Sequence, residues 1–475
     1  MFQRRHRPPG QRLAALLPLA LCAACGGTES EAPAPIPDSS PLAETGNQTD
    51  LIILISLDTL RADHMSLYGY ERPTSPELED FAKAATVYTR CQTTAPWTLP
   101  AHASMFTGLY PFEHGARTYP RDQVDQPRKF NNTIRLPDRH VTLAEVLGDC
   151  GYRTGAVTAN EGFLTEQYGL SQGFDHWDND DTRAPIINGR ALSWLTEQPE
   201  DEPVFLFINY MDTHRPYNNA PRPNIPHHEK HGIAKLAAEV LGQGEYTQDQ
   251  VQQLVDVYDT SVANLDEALG ELLDELRRLE LFDQALIVVT SDHGEFLGDH
   301  ELMDHAKDVY QGAAHVPLIV KAPGQTEARV DDGWISLVHI PEIVLAHTRG
   351  CGIDTLNGRQ RETVLTELFG PRPRQKLGAW RFKRVRRALM QGDFKFVQSS
   401  DGNDELYNLL ADPGELQNLL AERSELAGKL SELLELHYGD IQVPEELNLI
   451  EMSDEDLETM RAMGYAGGDE EEDDE

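Results

Sequence analysis

Cysteine is scarce: five in 475 residues, and Cys22 and Cys25 fall within the first 25. So few in so long a chain exclude a disulfide-stapled scaffold, and the odd count in the body (Cys91, Cys150, Cys351) leaves at least one thiol free. Bases are also few, 41 Lys and Arg against 79 acids, for a formal net charge of -38. Non-specific nucleic-acid binding needs a basic face, so nucleic acid is excluded as a partner, and strongly anionic membranes are disfavoured for the same reason. No stretch of 18 or more apolar residues occurs, hence no conventional spanning helix. What is present is 40% hydrophobic content, enough for a sizeable core and too much for disorder throughout. The length suits one large α/β domain with appendages, or two to three smaller domains.

The N-terminus reads as an address. Arg4, Arg5, Arg7 and Arg12 precede a short apolar run from Leu13 to Ala24, the pattern of a secretory signal. The run ends Leu21-Cys22-Ala23-Ala24-Cys25, which resembles a bacterial lipoprotein processing site, although Cys22 stands where leucine is usual. The expectation is a lipoprotein-type signal over 1–24, with Cys25 lipidated and the protein held on the cell envelope, facing the periplasm or the exterior. Plain secretion and a retained anchor are the alternatives. Loss of residues 1–24 would take the net charge to -42. Residues 25–49, rich in Pro, Ser, Glu and Gly, read as a flexible tether.

Order is expected from Leu51. The runs Leu51–Leu57, Val204–Ile208 and Ala285–Thr290 are short, continuous and rich in β-formers, as strands buried on both faces are. Amphipathic segments at 139–150 and 250–281 lie between them. The expected fold is α/β, a mostly parallel central sheet sandwiched by helices over 50–345. Residues 346–440 read as a smaller α+β subdomain with a helix over 415–437, and 441–475 as an acidic tail ending in seven consecutive acids.

In parallel α/β sheets, ligands bind beyond the carboxyl ends of the strands. The first run is followed by Asp58, the second by Asp212-Thr213-His214, and the third, after Ser291, by Asp292-His293-Gly294-Glu295. One strand ending in Asp is commonplace; three together point to carboxylate and imidazole ligands for one divalent cation, Mn²⁺, Mg²⁺, Ca²⁺ or Zn²⁺. Thr98-Leu99-Pro100-Ala101-His102 opens a further helix, with Thr98 as its expected N-cap and Gly108 as its stop. That places a hydroxyl where free amides and the helix dipole favour an anion. The His227-His228-x-x-His231 cluster, in a Pro-flanked loop, reads as an exposed polar stretch.

These segments resemble the sulfatase branch of the alkaline-phosphatase-like superfamily. The family's D-x-L-R-x-D matches Asp58 to Asp63, its C/S-x-P-S/A-R-x-S-L/M-x-T-G matches Thr98 to Gly108 in spacing, and its T-S-D-H-G-E matches Thr290 to Glu295. Its H-G-x-x-L-Y-x-x-x-x-R-V-P-L-I is similar to His305 to Ile319, with Ala306 for Gly and His315 for Arg. Its closing E-L-Y-D-L-x-x-D-P-x-E-x-x-N-L matches Glu405 to Leu419. The resemblance implies an alkaline-phosphatase-like fold, with Asp58, Asp292 and His293 as metal ligands and Thr98 in the nucleophile's place. It puts His102 in the place of an arginine that holds the nucleophile, His214 as the residue that binds the anionic group and protonates the leaving oxygen, and His305 facing that group. Lys307 is a weaker candidate, off register with the family lysine; Tyr258 and Asp259 match a structural helix motif.

The departures matter chemically. Sulfatases mature a Cys or Ser to formylglycine, and Thr98 cannot give that aldehyde because its Cβ carries a methyl group. Thr59 replaces a second liganding Asp, and His293 replaces Asn. Together these resemble a threonine-nucleophile branch, such as the lipoteichoic acid synthases and phosphoethanolamine transferases, and imply Thr98 joined to Asp58, Asp292 and His293 around one dication, without formylglycine. The expected function is metal-dependent hydrolysis of small-molecule, glycan or lipid sulfate or phosphate esters. A phosphoryl-transferring or phosphodiesterase enzyme, a non-catalytic binder that retains the fold, and a purely structural lipoprotein are the alternatives.

Overall fold

The computed structural model describes residues 47–118, 130–217, 221–222, 224–226, 246–351, 356, 363–369, 384–438 and 449–451. The leader, Cys25, most of the tether, the acidic run and the His227-His228-His231 cluster lie outside the described residues.

Sixteen strands occur among the described residues: β1 (Leu51–Leu57), β2 (Thr86–Gln92), β3 (Phe130–Ile134), β4 (Arg153–Thr158), β5 (His176–Asn179), β6 (Val204–Tyr210), β7 (Leu286–Thr290), β8 (Phe296–Leu297), β9 (Met303–Asp304), β10 (Leu318–Lys321), β11 (Arg329–Ser336), β12 (Val364–Leu368), β13 (Arg386–Gln391), β14 (Phe394–Ser399), β15 (Glu405–Asn408) and β16 (Leu449–Glu451). Eight form the main sheet in the order β11-β2-β10-β7-β1-β6-β4-β5. Only β10 runs antiparallel to its neighbours there.

The three apolar runs read from the sequence are the three adjacent central strands β7, β1 and β6. All seven residues of β1 are buried. Its alternation sends Leu51, Ile53 and Ile55 into one core and Ile52 and Leu54 into another. The first core takes the inner faces of helices Pro76–Ala82, Ala184–Glu197 and Gln248–Arg278; the second takes Thr98–Thr107, Leu143–Asp149 and Ile340–Leu345. A strand covered on both faces has no polar side to display, which is why its sequence is continuous rather than alternating. The Gln248–Arg278 helix starts at Thr247, which caps Gln250 and receives that side chain in return.

Strands β12 to β15 form a separate antiparallel sheet under helix Ser424–Tyr438, sharing Leu365, Leu389, Phe396, Leu406, Leu430 and Leu434 in one core. The sequence-based helix over 415–437 is corrected to that shorter one. Residues 412–420 instead turn about polar side chains: Asp412 accepts from Gln417 N, and Asn418 from Leu406 N and Leu420 N. Cys150 and Cys351 are paired, their Cα atoms 6.0 Å apart, and Cys91 is the buried free thiol.

Candidate functional site

Asp58 follows β1, Asn160 follows β4, His214 follows β6 and Asp292 follows β7, so neighbouring parallel strands deliver their groups to one edge. Asp58 is fixed by Asp58 N donating to Tyr210 O at 2.9 Å and by Asn160 Nδ2 donating to its Oδ2 at 2.8 Å. Thr59 adopts a left-handed φ of 61°. Its hydroxyl turns away to Thr213 O at 2.8 Å, while its N–H donates to Asp292 Oδ1 at 3.2 Å. Asp292 Oδ1 also accepts from His293 N at 2.9 Å.

Thr98 begins the helix Thr98–Thr107 but is not its N-cap, a role held by Trp97 without a side-chain bond. Its Oγ1 instead lies 3.4 Å from Nε2 of His293. Gly108, at φ 66°, closes the helix as expected. One turn on, His102 Nδ1 lies 3.0 Å from Thr98 O and its Nε2 3.0 Å from Ser56 Oγ. A ring with Nδ1 donating to a carbonyl carries its proton there, so Nε2 accepts from Ser56. Burial pulls His102 down to about 3, which keeps it neutral. His102 therefore clamps the first helical turn to β1.

His293 Nδ1 lies 2.9 Å from Gly294 O, which assigns the proton to Nδ1 and turns the Nε2 lone pair inward. That nitrogen is 3.3 Å from Asp292 Oδ2 and 3.9 Å from Asp58 Oδ1. Burial holds His293 down at about 4. Burial, then the mutual repulsion of the carboxylates, holds Asp58 well above the usual carboxylate range. Burial pushes Asp292 up to about 7.

Whether these groups suit a cation is decided by their unsatisfied atoms. Asp58 Oδ1 and Asp292 Oδ2 are buried with no hydrogen-bond partner among the described residues. One ligand atom from each of Asp58, Asp292 and His293 lies within 4.8 Å of the other two. Two buried carboxylates that each leave one oxygen without a donor are costly as anions, and a dication would remove that cost. The set fits one divalent ion, which Asp58, Asp292 and His293 would hold with the Thr98 hydroxyl alongside.

The other sequence candidates surround this cluster. The His305 ring is 4.7 Å from that of His293 and 5.1 Å from that of His214, centroid to centroid. His214 Nδ1 lies 2.7 Å from Arg215 O, leaving Nε2 as its second functional atom. Burial, then the neighbouring His305 and Arg215, holds His214 well below the ordinary imidazole value. Lys307 lies 3.5 Å from Asp304 Oδ2. Tyr258 donates to Thr59 O and accepts from Arg61 N, and Asp259 pairs with His64 and Arg72, so both support the Asp58 turn from behind. His315 binds Thr89 O in the sheet.

Sequence reading missed Ser56, Asn160 and the pair Glu295–Asp304. Asn160 follows a strand, Arg-Thr-Gly-Ala-Val-Thr, too polar to stand out as a buried run. Ser56 is the one polar residue inside the first run, which is the signal that could mark it.

Comparison with known proteins gives the same picture. The Sulfatase family matches residues 50–351. Arylsulfatase K of Gallus gallus is 30% identical over 423 residues, 77% of this chain and 78% of its own length. The ulvan-active sulfatase of Formosa agariphila is 25% identical over 303 residues, 58% of this chain, and the chain spans 56% of that protein's length. The phosphonate monoester hydrolase of Agrobacterium radiobacter superposes with a TM-score of 0.60 at 20% identity, over 85% of this chain and 99% of that one. By the extent of the family match and the likeness to a relative 30% identical over most of both chains, the chain belongs to the Sulfatase family.

Proposed function

We propose that the protein is a metal-dependent ester hydrolase of the cell envelope that uses the Thr98 hydroxyl as its nucleophile, and that among sulfate and phosphate esters it favours phosphate. One observation carries the reading: a buried hydroxyl at a helix start lies 3.4 Å from an imidazole nitrogen that two buried carboxylates also approach. Asp58, Asp292 and His293 would hold the dication, which when bound supplies Lewis acidity, lowering the hydroxyl's pKa and offsetting charge on the ester's oxygens.

The chain's own groups do the rest. His102 and Ser56 hold the first turn of the helix, so the backbone that carries Thr98 is fixed beside the cluster. Thr98 gives up its hydroxyl proton to solvent and its oxygen forms a Thr98–O–P bond as the ester P–O bond breaks, and the leaving alcohol takes a proton. His214 would supply that proton through Nε2, a reading supported by the commitment of Nδ1 to Arg215 O; an entering anionic ester raises the ring's proton affinity. Water then attacks phosphorus and gives a proton to His214 as the Thr98 O–P bond breaks; phosphate leaves and the threonine oxygen takes up a proton from solvent.

The preference for phosphate rests on Thr98, which cannot become an aldehyde hydrate and so cannot release sulfate by the formylglycine route. The structural likeness to a phosphonate monoester hydrolase supports the same class. Envelope location is supported by the basic-apolar leader ending at Cys25 and by the Cys150–Cys351 pair, a bond at home in oxidising compartments.

The test is a panel of aryl sulfate, phosphate monoester, phosphate diester and phosphonate substrates with Mn²⁺, Zn²⁺, Mg²⁺ and Ca²⁺. Phosphorus esters are expected to turn over fastest, with an unmodified Thr98 by peptide mass. Turnover of sulfates alone would reverse the substrate assignment. Release of the protein from membranes on Cys25→Ala tests the anchor.

A further inference from the structure

Strand β12 is the edge of the C-terminal sheet, bonded within it only to β13. All five of its residues are buried, so its outer edge is not turned to solvent. Thr366 Oγ1 donates to Thr93 O at 2.6 Å, and Glu367 N donates to Thr94 O at 2.8 Å. Those two acceptors lie five and four residues before Thr98, in the segment that delivers it to its helix.

The same segment is tied twice more. Thr93 N donates to Ala314 O at 2.9 Å, and Ala306 N, next to His305, donates to Pro96 O at 2.8 Å. His305 has its Nδ1 3.3 Å from both Glu295 Oε1 and Asp304 Oδ1. Just beyond it, Asp308 accepts from Arg384 and Arg386, and Lys395 donates to Val309 O, which ties this stretch to β13 and β14. The C-terminal sheet therefore grips the approach to Thr98 with one strand and the exit from His305 with the next two, while Pro96 and Ala306 join those stretches directly. Attachment of the sheet as a whole has a separate, apolar basis: Tyr110 and Val338 share a core with Leu365, Leu389 and Phe396.

We propose that Thr366 is a positioning residue for the reaction, acting through Thr93 to set where the Thr98 hydroxyl stands against the carboxylate cluster and His305. Thr366, Thr93 and Thr94 are fully buried, so water has no access to replace a donor lost at Thr93 O. A backbone released there lets the start of the helix shift, and the nucleophile with it. A displacement of about 1 Å at an attacking atom costs up to about 100-fold in rate, even when its cause lies away from the chemistry. The inference rests on the Thr98 reading above and extends the catalytic framework into a sheet that carries none of the candidate site residues.

Thr366→Val keeps shape and burial and removes the donor; Thr366→Ser keeps the donor. The full-length wild type and both variants are compared for kcat and KM on the phosphorus ester that the wild type turns over fastest, for bound Mn²⁺, and for folding by circular dichroism. The expected result for Thr366→Val is a kcat about 10–100-fold lower with KM, bound metal and fold unchanged, and Thr366→Ser recovers the rate. Thr366→Val with the wild-type kcat would overturn the inference and mark the bond as a joint between sheets only, as would Thr366→Ser as slow as Thr366→Val. If Thr366→Val does not fold, Thr366→Ala is held to the same two outcomes. Thr98→Ala, run alongside, separates the failures: an inactive Thr98→Ala beside an unimpaired Thr366→Val removes the positioning role alone, and a fully active Thr98→Ala removes the nucleophile and this inference together.

Discussion

Thr98 Oγ1 and His293 Nε2 stand 3.4 Å apart, and the histidine's other nitrogen is committed to Gly294 O at 2.9 Å. The ring is thereby oriented with its lone pair toward the hydroxyl. Thr98→Ala is expected to lower turnover by roughly 10³-fold or more, since loss of a nucleophile collapses the sequence of steps it begins. Thr98→Ser is expected to retain activity. Steady-state rates together with metal content check this: Ala that turns over like the wild type would remove Thr98 from the chemistry.

Asn160 touches no candidate ligand atom except Asp58 Oδ2, which accepts its amide at 2.8 Å. Its own Oδ1 accepts from Gly162 N and Phe163 N, so the amide is oriented by the loop after β4. Partners of this kind hold a liganding carboxylate in one rotamer, and their removal typically costs about 10–100-fold in metal affinity. Asn160→Ala is expected to weaken Mn²⁺ binding in that range without unfolding the protein. Calorimetric titration of the stripped protein measures it.

How far the sequence could be read follows from burial. Strands β7, β1 and β6 are covered on both faces, so their apolar runs were unambiguous, and the carboxylates after them marked the site. Strands β4, β5 and β11 carry Thr, Asp, Asn or Arg and were not read as strands. Thr98 was placed correctly at a helix start, but its hydroxyl faces His293 rather than capping its own helix, because a tertiary partner outweighs the local one. The Glu295–His305 juxtaposition depends on the register of a two-residue hairpin, which no periodicity announces. Ala306 is legible only afterwards: the resembling motif has glycine there, and the observed φ of 56° is one glycine adopts without cost.

Asp308 binds the His305 segment to the C-terminal sheet. Its carboxylate accepts from Arg384 at 2.8 Å and from Arg386 at 3.0 Å, and Lys395 donates to Val309 O at 2.6 Å. Arg386 is fully buried, so removal of its partner strands a charge away from water. Asp308→Ala is expected to cost about 3–5 kcal/mol, the range for breaking a buried pair from one side. Chemical denaturation gives the number; a loss below about 1 kcal/mol would mean that Glu405 alone satisfies Arg386.

Asp266 makes stability depend on pH at a point remote from the site. It is buried on the long helix and accepts from Glu77 N at 2.8 Å and Leu78 N at 3.0 Å, capping the helix Pro76–Ala82. Burial outweighs those two bonds and pushes its carboxyl up to about 7. A folded-state pKa above the unfolded one means that the native state binds the extra proton. The contribution is therefore fully present below the ordinary carboxylate pKa, near 4, and is lost as pH rises through about 7. Asp266→Asn keeps an acceptor oxygen for the helix amides and removes the titration. The wild-type protein is expected to lose stability relative to this variant between pH 4 and 7, by at most about 4 kcal/mol. Paired denaturation curves across that range decide it: a constant difference would place the Asp266 pKa at its unfolded value and make the carboxylate an ordinary charged cap.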